Sequence, residues 1–97
     1  MSELRKAIHD LHGCDSSWNR SVHVHEEYKG KVVWDGDVEV FELFGHPTAT
    51  RVYAWSHSVA GSKKRRYVAV LHHPPVDSPQ AAVRAAIVQE YNNKQAP

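Results

Sequence analysis

The sequence predicts an α+β domain: an antiparallel β-meander of three or four strands flanked by an N-terminal and a C-terminal helix. Three observations point there. Apolar residues recur at helical spacing only near the two ends of the chain. Between them lie β-rich runs punctuated by glycine and proline. The connections are too short for crossover helices, so neighbouring strands pair as hairpins. The 97 residues suit one domain over 1–93, with 94–97 a frayed tail, and one modest core.

Residues 3–12 form the first helix, because Leu4, Ala7, Ile8 and Leu11 make one apolar stripe and Gly13 supplies a left-handed stop. Residues 14–17 then read as a loop. Residues 20–28 alternate Val22, Val24 and Glu26 with His23, His25 and Glu27, a wet strand or an ordered loop. Val32-Val33-Trp34, Asp35-Gly36 and Val38–Phe44 read as strand, turn and strand, since Asp-Gly suits a type I′ hairpin. The rival is one long strand with a bulge at Gly36. Gly45–Thr48 is a turn, 50–57 a strand, 58–64 a polar loop and 65–73 a strand that Pro74-Pro75 ends. Ser78 as N-cap and Pro79 at the first helical position open the last helix, which runs to about 92.

Several classes are excluded or disfavoured. The N-terminus carries no apolar signal segment, and no apolar run approaches the roughly 20 residues of a membrane span. One cysteine rules out an internal disulfide, which makes the cytoplasm the expected location. A net charge of +1 is neither that of a basic nucleic-acid arm nor that of an acidic tail.

Alternation along the strands sorts side chains onto two faces. With simple pairing, one face collects Val38, Val40, Val52, Ala54, Val68 and Val70 and forms the core against the last helix. The other collects Glu39, Phe41, Leu43, Arg51, Tyr53, Trp55, Tyr67 and Leu71, with Trp34 beside them. One reading has the first helix cover that face, or makes it a second half-core; against this, the helix is barely three turns long. The expectation is therefore a homodimer or partner interface there, with Trp34, Phe41, Arg51, Tyr53, Trp55, His57 and Tyr67 as candidate contacts.

Charge is segregated. Glu26–Glu42 holds six acids and two bases, a net −4; Leu43–Val76 holds five bases and no acid, a net +5. Cross-strand pairing of Arg51 with Glu39 or Glu42 accounts for part of this. Lys63-Lys64-Arg65-Arg66 has no local acid, and is either a solvated loop or a phosphate contact. The α–β–β–β–α order resembles that of double-stranded-RNA-binding domains in topology alone, because the basic cluster precedes a strand and Ser78–Ala81 is not basic.

Eight histidines are dispersed along the chain without a recognised metal-ligand spacing. Their full protonation would carry the charge from +1 to +9. That is expected to loosen the fold or its oligomer below about pH 6. His12-Gly13-Cys14-Asp15 reads as a loop thiol rather than a nucleophile. No catalytic residue, metal or cofactor is assigned.

The block Trp34-Asp35-Gly36-Asp37-Val38-Glu39-Val40-Phe41-Glu42-Leu43-Phe44-Gly45-His46-Pro47, followed by Ala49, Arg51 and Tyr53–His57, resembles the centre of a family of small uncharacterised bacterial proteins. The later run from Pro74-Pro75-Val76 to Ala85-Ala86-Ile87 is similar to that family's end, so the resemblance covers about residues 31–90. The resemblance implies a bacterial cytosolic protein of the kind found on mobile or accessory DNA, and no activity. The expected function is a non-enzymatic interaction module, homodimeric through its aromatic face. The alternatives are a nucleic-acid-associated protein using residues 63–66, and a small ligand- or metal-binding enzyme using histidines.

Overall fold

The structure is a computed structural model and describes residues 2–59 and 61–95. The elements run α1 (Ser2–His12), β1 (Asp15–Tyr28), β2 (Lys31–Phe44), β3 (Arg51–Ser58), β4 (Arg65–Leu71) and α2 (Pro79–Gln95). The strands form one antiparallel sheet in the order β1-β2-β3-β4, so the α+β class and the meander hold.

The first hairpin lies elsewhere than Asp35-Gly36. β2 is one continuous strand, and the turn sits at Lys29-Gly30, with φ of 53° and 77°. Both central residues of a type I′ turn need positive φ, and this pair supplies them. Gly36 has a different reason to be glycine. The Trp34 indole lies across it, and a Cβ there would sit 3.3 Å from Trp34 Cη2. The ladder's irregularities fall between Trp18 and Arg20 and between Glu26 and Glu27, not at Gly36. β1 begins at Asp15, inside the expected loop, because a polar edge strand carries little apolar signal.

The expected face assignment is wrong for β3. Val40 pairs with Tyr53 and Phe41 with Val52; Tyr53 pairs in turn with Val70. A one-residue shift of register exchanges a strand's faces. Tyr53 and Trp55 therefore join Val24, Val38 and Val40 under Ala82 and Val83 of α2. Val52 and Ala54 join Phe41 and Leu43 under Ile8 of α1.

Both faces are thus covered. Arg5 Nε donates to the Ser16 carbonyl on β1 at 2.9 Å, and His12 Nε2 donates to the Ala69 carbonyl on β4 at 3.0 Å. About two turns of helix separate these anchors, so α1 crosses the sheet from one edge strand to the other. Ile8, fully buried, fixes its height, a burial that contributes about 1.5–3 kcal/mol. At the other end, Ser78 Oγ accepts from the Ala81 amide at 3.1 Å, the expected N-cap. α2 runs past the expected stop at residue 92 to Gln95. The remainder of the expected frayed tail, 96–97, lies outside the described residues.

One feature of the sheet positions the site. β1 and β2 are paired along their whole length, from Asp15–Phe44 to Tyr28–Lys31. β3 and β4 are paired from Val52–Leu71 to Ser58–Arg65. β2 and β3, however, pair only between Glu42–Arg51 and Glu39–Ala54. The sheet is continuous at one end and divides at the other into two two-stranded arms.

Candidate functional site

A cleft of about 450 Å³ opens where the arms part. β2 supplies Trp34 and Asp35, β3 and β4 supply Trp55, His57, Arg66 and Val68, and α2 closes the far side with Ala86, Ile87, Gln89 and Glu90. The volume lies within the range of about 300–1,000 Å³ usual for small-molecule sites.

Local sequence explains the wall. Trp55 is buried at the back, and Trp34 meets it edge to face at 5.6 Å between ring centroids and 74° between planes. Such an arrangement sets the positive edge of one ring against the negative face of the other. Gly36 leaves room for Trp34 to lie along its strand, and Ala86 keeps α2 close enough to roof the cleft.

Charges stand at the mouth. His57 and Arg66 are direct cross-strand neighbours on one arm, and Asp35 lies on the other. Glu90 comes from α2. Among the described residues, no ion pair joins Arg66 to Asp35 or Glu90. The cleft therefore offers a cationic and an anionic side around an aromatic wall.

Asp35 is held from outside the cleft. His25 Nδ1 lies 2.6 Å from its Oδ2, and His23 Nε2 lies 3.4 Å from its Oδ1. The hydrogen bond from His25, then the charge on His23, lower the Asp35 carboxyl below its ordinary value. Reciprocally, a hydrogen bond to Asp37 and the charge of Asp35 raise His23. Hydrogen bonds to Asp35 and Glu27 raise His25. Asp35 is thus kept as a carboxylate.

The structure separates the residues singled out from sequence. Trp34, Trp55 and His57 meet at the cleft. Phe41 is buried on the α1 side and Tyr53 on the α2 side, where its hydroxyl lies 2.6 Å from His72 Nδ1. Tyr67 is half-buried on β4. Arg51 pairs with Glu42 at 3.7 Å, one of the two cross-strand partners expected for it. The single aromatic face is therefore replaced by two cores. Of the basic cluster, Lys63 and Lys64 are exposed in the β3–β4 loop. Arg65 donates to Ser56 and Ser58, and Arg66 lines the cleft.

Asp35, Val68, Gln89 and Glu90 were not singled out from sequence as site residues. Asp35 was absorbed by the turn assignment, and nothing periodic sets the two helix residues apart. Among the described residues, no group of three or more His, Cys, Asp or Glu is placed to hold a metal ion. Among the described residues, no helix is long and apolar enough to cross a membrane.

No protein-family model matches the chain, and no curated protein and no solved structure matches it either. Fold and site define a four-stranded antiparallel α+β domain with a forked sheet and an aromatic cleft in the fork.

Proposed function

We propose that the chain is a non-enzymatic binding module, and that the cleft in the fork of its sheet takes a small, flat, largely apolar molecule. The ligand carries an anionic group toward Arg66 and His57 and a cationic or donor group toward Asp35 and Glu90. The observation that carries this reading is the convergence of two tryptophans and unlike, mutually unpaired charges on one recess. Binding is favoured over catalysis because the lining holds no Ser, Thr or Cys for His57 to activate. Cys14, a free thiol, fits the reducing conditions of the cytoplasm, where this reading places the protein.

Tryptophan emission tests it, in a Trp18→Phe background so that Trp34 and Trp55 report. The titrants are aromatic amino acids and simple aromatic carboxylates. A saturable change is expected, weakened about tenfold or more by Arg66→Glu, equivalent to about 1.4 kcal/mol. Arg66 is exposed, so its replacement leaves the fold intact. No change with any titrant, or an affinity indifferent to Arg66→Glu, overturns the assignment.

A further inference from the structure

His23 and His25 face carboxylates with both of their ring nitrogens. His23 Nδ1 lies 3.0 Å from Asp37 Oδ1, and its Nε2 lies 3.4 Å from Asp35 Oδ1. His25 Nδ1 lies 2.6 Å from Asp35 Oδ2, and its Nε2 lies 3.1 Å from Glu27 Oε1. The five side chains form one alternating row: Asp37, His23, Asp35, His25, Glu27. Strand register builds it. His23 stands opposite Asp37 and His25 opposite Asp35, and residues two apart on a strand share a face.

Such a row depends on its protons. A neutral imidazole has one N–H and an imidazolium has two, whereas a carboxylate only accepts. Four contacts need four donors, so the row is complete only when both rings are protonated. With both rings neutral, two of the four contacts set a ring lone pair against a carboxylate oxygen. The same geometry raises both histidines, His23 through its hydrogen bond to Asp37 and the charge of Asp35, His25 through its hydrogen bonds to Asp35 and Glu27.

The middle member of the row reaches the cleft. Asp35 shares its two oxygens between the rings and also lines the recess. The other charged or titratable groups lining it are His57 on β3, Arg66 on β4 and Glu90 on α2. The start of α2 brings Ser78, Pro79 and Gln80 beside His23 and His25, and none of these carries charge. With the row protonated, two cations compensate Asp35. With the rings neutral, its full negative charge stands beside the cleft.

We infer that His23 and His25 set which charge the cleft prefers in its ligand. Protonated, they turn it toward an anionic molecule; neutral, they turn it toward a cationic one. This rests on the cleft as a ligand site, and adds to that reading a control of its specificity by pH.

Tryptophan emission at low salt tests it, in a Trp18→Phe, His57→Gln chain so that His57 adds no titration of its own. The probes are phenylacetate and benzylamine, similar in size, opposite in charge, and each constant in charge between pH 5.5 and pH 8. Over that range phenylacetate is expected to weaken and benzylamine to tighten, changing the ratio of their affinities about fivefold or more. Adding His23→Gln and His25→Gln is expected to abolish the change. A ratio that stays constant, or one that changes as much without the two histidines, overturns the inference and leaves the cleft reading standing. Binding of neither probe at either pH overturns both. If the chain lacking both histidines does not fold, the imidazole nitrogen shifts of the unmodified protein decide. At pH 6.5 both rings are expected to be more than half doubly protonated, and the Trp34 indole N–H resonance to follow their titration. A mainly neutral ring at either position, or a Trp34 signal indifferent to the titration, overturns the inference.

Discussion

At the scale of single residues, Trp55 has two duties. It is buried in the α2-side core and forms the back of the cleft. Trp55→Ala is therefore expected to lower stability by about 3–5 kcal/mol, read from urea denaturation, because the neighbouring side chains cannot collapse into a hole that size. His23 and His25 make a second residue-scale prediction. Their values are raised by Asp35, Asp37 and Glu27, so their contribution is complete below the ordinary imidazole value of 6.5 and fades as pH climbs through the raised folded values. Asp35 is lowered, so its share is present above the ordinary 3.8 and is lost as pH falls through its folded value. The arm is thus most firmly held between those two ordinary values. Protection factors of the β1–β2 amides, with the intrinsic base-catalysed exchange rate divided out, should be higher at pH 5.5 than at pH 8, and His25→Gln should flatten the difference. This reverses, for these two histidines, the expectation that protonation loosens the fold.

At the scale of elements, turns and caps account for most of what local chemistry decides. Lys29 holds a left-handed φ of 53° beside Gly30. A non-glycine residue in that conformation costs roughly 1–2 kcal/mol, and asparagine tolerates it best. Lys29→Asn is expected to raise the melting temperature, with a gain of about 0.5–1 kcal/mol. Ser78→Ala should lose about 1 kcal/mol by freeing the Ala81 amide, checked by the same melt. The first helix, the start of the last helix and its N-cap were legible because their signals are local: spacing, Ser78-Pro79, Gly13; the end of the last helix, which runs on to Gln95, was not. The hairpin was not, because Asp35-Gly36 carries a stronger turn signature than Lys29-Gly30. What overrides it is the Trp34 ring packed on Gly36, a contact within one strand that composition does not announce.

At the scale of the molecule, the miss that mattered was the facing of β3. Val52, Tyr53, Ala54 and Trp55 are all buried, because the strand is central and each side meets a helix. A strand covered on both sides reads as a continuous apolar run, so alternation cannot assign its faces. The same fact removes the expected lack of cover, since α1 spans the sheet. Trp34, Trp55 and His57 were legible as neighbours. Their cleft was not, since it exists only because β2 and β3 stop pairing at Glu39–Ala54. α1 is attached by one fully buried residue, so Ile8→Ala should remove about 2–5 kcal/mol of a total of order 5–15. A rise in the fluorescence of a dye that binds exposed apolar surface checks that the Phe41 side has opened.

The two apolar clusters have no residue in common; only the sheet's backbone stands between them. That division has a consequence for how the chain comes apart. α1 with its layer and α2 with its layer are separate cooperative units that share a partition, so the weaker can open while the other stays shut. Opening on the α1 side uncovers Phe41 and Val52 and leaves Trp34 and Trp55 packed. The cleft therefore belongs to the half of the molecule that does not have to yield first.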